Sequence, residues 1–485
     1  MRLRSLWLVL ALASPALAAP RRDVTVDVPA RGQRAAPAAV SRVIYLERCR
    51  GSCTVRLGAT DARTGTSMVP KRTVSTITEF ASAAGTLGAD ADADWAAIVQ
   101  CLTEVYSPYD VTVTDQKPAA PASYHEAIIA GRPANIGLTD DILGAAPLAS
   151  DCRPLDNSLS FTFANQHPPA DRIHNICWTA AQEIAHAFGL DHEYEFSNHR
   201  SACSDPMTYR GDCGGEKFFR DEPATCGEDA ARACKCGGLQ TSHRKLLVVF
   251  GPGTPITPPP TIALQSPVAG GALGATASAT AGAQRGVARV ELVINGFAWA
   301  TAPGAKFLAD GQPDPSSYQL TVPAALPDGI IDVSAVAYDD LGLAAASPII
   351  TLTRGAPCTA ASSCATGQRC DAGRCLWDPP AGELGDACTY PQFCKSLRCE
   401  GAAGAQACSA TCQIDGDTCA ADQICQPLTT GSSSGVCVAG GAGCCSASRG
   451  AGGWLAGGLA IAVLGATRRR RRPLRSRARP DDDSR

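Results

Sequence analysis

Residues 179–192 read T-A-A-Q-E-I-A-H-A-F-G-L-D-H. On a helix, Gln182 and His186 are four residues apart and share a face. Glu183 lies beside them, about 100° around the axis. Ala181, Ile184 and Phe188 fall at i, i+3 and i+7 on the other side, a stripe suited to a core. Gly189 follows, where helices commonly end in a left-handed residue that glycine adopts freely. A turn there swings His192 back toward His186, so that two imidazoles, an amide oxygen and a carboxylate can surround one point. The competing reading is a buried amphipathic helix whose polar face is satisfied by hydrogen bonds alone.

The string Q-E-I-A-H-A-F-G-L-D-H is followed by D-P-M-T-Y at residues 205–209. Together they resemble the metzincin zinc peptidases, which carry H-E-x-x-H-x-x-G-x-x-H and then a methionine turn. The resemblance is strongest over residues 182–209 and implies a role for each matching residue. His186 and His192 hold Zn2+, with Gln182 at the position of the first ligand. Glu183 is the general base, Gly189 the turn between the ligands, and Met207 the methionine under the metal. Tyr209 matches the tyrosine that astacin-like and serralysin-like members place near the zinc, and Glu193 is the astacin-like residue after the last ligand. Gln182 departs from the family's histidine. Its neutral amide oxygen is a poorer zinc donor than imidazole, which predicts a metal held less tightly. His174 and His199 flank the helix as further candidate ligands, although an exposed histidine without metal is the commoner situation for each.

The whole chain has 485 residues, too many for one ordinary core, so several domains are expected. Its net charge of −3 gives no reason to expect a nucleic-acid partner. Its 24 cysteines place it in an oxidising compartment, with disulfides rather than free thiols. Residues 1–18 combine Arg2 and Arg4, an apolar run from Leu6 to Ala13 and a small-x-small site at Ala16 to Ala18, which reads as a signal peptide. Residues 19–40, rich in Ala, Pro and Arg, read as a flexible linker or short pro-segment, and no matrixin-type cysteine switch is visible there.

The peptidase-like domain is expected over residues 41–250, as an α+β fold. Arg42 to Leu46, Val111 to Thr114, Ala127 to Ala130 and Leu159 to Phe163 read as strands, and Ala91 to Tyr106 as a helix. Ten cysteines fit five bridges whose pairing the sequence leaves open; Cys234-x-Cys236 reads as disulfide chemistry ahead of a zinc half-site. Residues 251–261 are a Pro-rich spacer.

Residues 262–354 are strand-like, with a hairpin signal at Asn295-Gly296, and resemble the bacterial immunoglobulin-like sandwiches of surface proteins. Residues 355–439 hold three tetrads of cysteine, a repeat of units too small to fold without bridges. In residues 440–485 a cysteine pair, an uncharged apolar stretch and an arginine cluster resemble the C-terminal sorting tail of myxobacterial surface proteins, and predict a transmembrane segment with the arginines inside. The sequence thus predicts an exported, surface-anchored or extracellular zinc metalloendopeptidase acting on protein or peptide substrates. The alternative is a non-catalytic adhesion protein built on a degenerate peptidase domain.

Overall fold

The structure, a computed structural model, describes residues 22–30, 40–197, 199–211, 215–304, 317–401, 404, 406–413, 419, 423–427 and 434–439. It is rich in strands and disulfides and has few helices. The predicted signal peptide and the C-terminal tail lie outside the described residues. Among the described residues no helix is long and apolar enough to cross a membrane.

The first domain is built on a six-stranded mixed sheet. Its strands are β1 (Arg22–Val28), β2 (Val43–Glu47), β6 (Thr112–Thr114), β7 (His125–Ile129), β8 (Ile142–Ala149) and β9 (Leu159–Thr162), in the order β1-β8-β9-β7-β2-β6. All neighbours run parallel except β8 and β9. A small second sheet of β3 (Ser52–Leu57), β4 (Thr66–Ser67) and β5 (Val74–Thr78) covers one end. Buried strands in such a sheet need no alternation, because both faces are covered. β7 and β9 are buried along their whole length, so their short apolar runs carry the only sequence signal.

Helices α1 (Ala89–Tyr106) and α2 (Arg172–Ala187) pack against this sheet and each other. Trp95, Ile98, Leu102 and Val105 of α1 point into the core at helical spacing, as do Ile176, Ala180 and Ile184 of α2. Further on, β10 (Glu193–Phe196) pairs with β11 (Ala224–Cys226), and α3 (Ser242–Phe250) closes the domain. The expected strands and α1 are present within one or two residues of their predicted ends.

Residues 19–40 require a correction. They were expected to form a flexible linker or short pro-segment, and of these a flexible linker does not hold, since Arg22–Val28 is a strand paired in parallel with β8. Its Val24, Val26 and Val28 alternate with polar residues, a strand signal masked by the Arg- and Pro-rich surroundings. The Pro-rich spacer is also less free than its composition suggests. Gly253 donates to the Pro108 carbonyl at 2.8 Å and Ile256 to the Ser107 hydroxyl at 3.1 Å, so the segment runs along the end of α1.

The sandwich packs a three-stranded sheet, β12 (Thr261–Ser266), β13 (Thr276–Gly282) and β16 (Ser317–Thr321), on a five-stranded one. The latter comprises β14 (Arg289–Ile294), β15 (Phe297–Pro303), β17 (Gly329–Tyr338), β18 (Ala344–Ala346) and β19 (Ile350–Arg354). Asn295 and Gly296 both have positive φ, at 50° and 84°, as a type I′ hairpin demands. Alternate residues such as Val290, Leu292 and Ile294 form the core between the sheets. The sandwich meets the first domain through a buried charge cluster. Arg220 donates to Asp340 at 3.0 Å, and Arg285 to the same carboxylate at 2.7 and 3.0 Å. All three side chains are at least 96% out of solvent, so loss of any one leaves an uncompensated charge.

The cysteine tetrads follow one rule. Each pairs its first cysteine with its third and its second with its fourth: Cys358–Cys370 and Cys364–Cys375, Cys388–Cys399 and Cys394–Cys408, Cys412–Cys425 and Cys419–Cys437. The first two tetrads belong to the same compact unit as the preceding domains, and the third belongs to a second unit that begins at Ser409.

Cys101 of α1 is bonded to Cys177 of α2 across 76 residues of chain. Replacing both by serine should lower the unfolding free energy by about 2–5 kcal/mol, the usual cost of losing a bridge that closes a long loop. Chemical denaturation of the two proteins under non-reducing conditions checks this.

Candidate metal centre

Helix α2 ends as its sequence predicts. Gly189 has a φ of 89°, and the amides of Gly189 and Leu190 close the last turn on the carbonyls of His186 and Ala185 at 2.9 and 3.2 Å. A side chain at Gly189 would collide with the Cys152 carbonyl, so shape as well as φ demands glycine. The Lys245 ammonium binds the Gly189 carbonyl, a cation at the negative end of the helix. The chain then reverses and brings His192 back to His186, with their Nε2 atoms 3.0 Å apart.

The other nitrogen of each ring is already committed. His186 Nδ1 lies 2.8 Å from the Leu190 carbonyl oxygen, which can only accept, so Nδ1 carries the proton. His192 Nδ1 lies 3.0 Å from Glu228 Oε1, and carboxylate and imidazole pair in the same way. Each histidine thus has its Nδ1 committed and its Nε2 turned toward the other ring. Burial, with His192 beside it, holds the His186 pKa well below the ordinary value and keeps it neutral.

Gln182 completes the cluster. The hydrogen bonding around its amide fixes the orientation: Nε2 donates to Asp23 Oδ2 at 3.0 Å and to the Pro206 carbonyl at 3.3 Å, and Oε1 faces His192 Nε2 at 3.2 Å. Three electron-pair donors thus converge. A single proton on His192 Nε2 can be shared by the other two, whereas a tetrahedral cation takes all three. Two nitrogens each about 2.0–2.1 Å from zinc lie roughly 3.3 Å apart, close to the observed separation. The donor set therefore fits a zinc ion.

Glu183 is fully buried and, among the described residues, neither carboxylate oxygen has a hydrogen-bond partner. Burial, and then the charge of Asp23, pushes its pKa well above the usual range. A divalent cation nearby would reverse that preference. Glu183 fits because β8 presents a glycine to it; a side chain at Gly144 would meet the carboxylate itself.

Met207 is fully buried, and its carbonyl accepts from the Glu193 amide at 2.7 Å. Asp205 holds this turn, accepting from the Met207 amide at 2.8 Å, the Arg220 amide at 2.8 Å and the Ser242 hydroxyl at 2.6 Å. The Tyr209 ring lies tilted beside His192, centroids 4.6 Å apart, but its hydroxyl donates to the Asp23 carbonyl oxygen at 2.6 Å. A cleft of about 500 Å³ opens beside Gln182, lined by Asp23, Trp178, Pro206, Tyr209 and Lys217 among others.

The expected residues Gln182, Glu183, His186, Gly189, His192, Met207 and Tyr209 are thus gathered in one place. The flanking histidines stand off from this cluster, although His174 lines the same cleft. His174 lies two turns before Gln182, stacked on Trp178 and 3.3 Å from Glu216, and the side chain of His199 is 90% exposed. Cys234 and Cys236 are bonded to Cys226 and Cys152, which excludes a half-site there. Two residues that the sequence did not reveal belong to the site. Glu228 is one, a carboxylate held below the usual range first by the His192 bond and also by Arg232. Asp23 is the other. Burial raises its pKa to about 6 against the opposing pull of His192 and Lys217.

No family model matches the sequence, and no curated protein matches it. Among solved structures the chain is similar to fibronectin(III)-like modules of Clostridium thermocellum CbhA, with 18% identity over 27% of this chain and 59% of that one and a TM-score of 0.16. It is also similar to catalytically inactive OgpA from Akkermansia muciniphila, in complex with an O-glycopeptide substrate (glycodrosocin). That match has 9% identity over 47% of this chain and 64% of that one, and a TM-score of 0.14. The chain spans less than two thirds of each of these structures, and likenesses this slight carry no argument.

Gly144→Ala should force Glu183 out of its place. Overpacking of this kind typically costs about 1–3 kcal/mol, and thermal unfolding of the variant measures it.

Proposed function

We propose that the chain is an exported, zinc-dependent, metzincin-like endopeptidase acting on peptide bonds of extracellular proteins. The observation that carries the reading is the pair of imidazole Nε2 atoms 3.0 Å apart, each turned inward by a fixed partner on its Nδ1. A cluster tuned in this way is characteristic of ligand histidines, whose outer partners set tautomer and basicity. His186, His192 and the amide oxygen of Gln182 would hold the ion. Zinc so held supplies a Lewis acid that polarises a carbonyl and lowers the pKa of water.

The remaining work falls to the chain itself. Glu183 takes a proton from the attacking water and returns it to the leaving amine, as a buried carboxylate with free oxygens can. The Tyr209 hydroxyl, once free of Asp23, donates to the oxygen on which charge develops. The cleft beside Gln182 receives the residue next to the scissile bond. Surface attachment through residues 440–485 rests on the sequence alone.

Four variants test this. Glu183→Gln should retain zinc and lose at least about 100-fold in turnover of a mixed peptide library, because only the base is removed. His186→Ala should lose the metal. Gln182→His should bind zinc more tightly than wild type, because imidazole replaces an amide. Zinc-free wild-type protein with no cleavage would leave the adhesion reading in place. Glu228→Ala should weaken zinc binding about 10–100-fold in a chelator competition, since it removes the acceptor that orients His192.

A further inference from the structure

Two elements of different construction line the cleft beside Gln182. One is α2, whose His174, Trp178 and Gln182 follow one another at four-residue spacing along it. The other is the segment 215–220, whose Gly215, Glu216 and Lys217 line the cleft and which belongs to neither helix nor strand. No ladder of main-chain bonds fixes this second wall, so its place is set by its neighbours. Glu216 Oε1 lies 3.3 Å from His174 Nε2, and the Lys217 ammonium lies 5.7 Å from the centre of the Trp178 ring. The first of these contacts is partly exposed, and a pair of that kind contributes little.

The firm anchorage comes from the sandwich. Arg285 sits in the turn between β13 and β14, and Asp340 in the turn between β17 and β18. The second turn is shaped by Asp339, which accepts from the amides of Leu341 and Leu343 at 3.0 and 2.9 Å. The Arg285 guanidinium clasps Asp340, stands 4.5 Å from the centre of the Phe218 ring and donates to the Phe219 carbonyl at 3.3 Å. Arg220 answers from the wall. It donates to the Arg285 carbonyl at 2.6 Å, to Asp340 at 3.0 Å and back to the Glu216 carbonyl at 3.3 Å. The run from Asp340 to the cleft-lining Glu216 is therefore unbroken. Joining two domains does not require buried charges, which are costly to take out of water. What these charges deliver is a fixed place for a wall that has no secondary structure of its own.

We propose that the sandwich is a working part of the substrate cleft: Arg285, with Asp340, is a positioning residue that sets where Glu216 and Lys217 stand, and so governs which peptides the cleft accepts. Neither residue touches substrate or metal. The inference rests on the peptidase reading above and adds to it a dependence of specificity on a second domain. The three inward donors are held by Leu190, Glu228, Asp23 and Pro206, all of them outside the sandwich. Asp205, which holds the methionine turn, meets the main-chain amide of Arg220, a contact that a change at Arg285 leaves in place. Loosening the brace at Arg285 therefore acts on substrate binding and spares the metal.

The experiment compares the full chain with Arg285→Lys, which keeps a cation beside Asp340 but loses the flat fork that reaches the Phe219 carbonyl and covers Phe218. Zinc affinity is read by chelator competition, and cut sites in a mixed peptide library by mass spectrometry. KM and kcat are measured on the library peptide that wild type cuts fastest. The expected result is wild-type zinc affinity, a KM raised about tenfold with kcat nearly unchanged, and an altered preference for the residues beside the cut. Wild-type KM and cut-site preference in folded Arg285→Lys overturn the inference and leave the peptidase reading intact. A joint loss of zinc affinity and kcat also overturns it, because the brace then serves the metal centre and not the wall. If Arg285→Lys does not fold, Phe218→Leu, which removes the ring that both guanidinium groups cover, is read in the same way. Wild-type protein that cuts no member of the library overturns this inference and the peptidase reading together.

Discussion

Gln182, Glu183, His186 and His192 are polar side chains kept almost wholly out of water on one helix and the turn after it. Burial of such groups is tolerated only where each finds a partner, and a carboxylate without one costs the most. The surroundings are arranged around that requirement. Leu190 and Glu228 take one nitrogen of each imidazole, Asp23 and Pro206 take the Gln182 amide, and Gly144 leaves room for Glu183. The proposed zinc reading rests on the convergence of the three inward donors, His186, His192 and Gln182.

A second layer of charge supports the first. Arg232 bridges Asp191 and Glu228 at 2.6–2.9 Å, so the carboxylate that orients His192 is itself oriented. Asp205 ties the methionine turn to Arg220, and Arg220 reaches through Asp340 to the sandwich. The floor of the site and the neighbouring domain are therefore linked by a continuous run of buried hydrogen bonds. Positional precision at the centre depends on a residue 135 positions beyond the turn it steadies, counting from Asp205 to Asp340.

What could be read from the sequence was local. The spacing of Gln182, Glu183 and His186, the stop at Gly189 and the return of His192 are all set within eleven residues, and helix periodicity with a glycine turn suffices to place them. The Asn295-Gly296 hairpin and the cysteine repeat were legible for the same reason. Distant partners were not. Glu228 is one surface acid among many until the fold brings it to His192 across 36 residues, and Tyr209 was legible as a position but not as a donor to Asp23. β8, I-L-G-A-A-P-L-A, has no alternation because it is buried on both faces, and β1 has alternation but its pairing partner lies more than a hundred residues away.

The regular pairing of the cysteine tetrads has a mechanical consequence. Each bridge closes a loop of only 11–18 residues, and the two loops of a tetrad overlap, so tension along the chain cannot open one without drawing on the other. Free of bridges, residues 355–439 would extend to roughly 290 Å at the contour length of a polypeptide. With the bridges intact most of that length is withheld, and the segment resists stretching through covalent bonds even where its hydrophobic core is minimal. The reach of whatever this segment carries is thus set by the redox state of its surroundings.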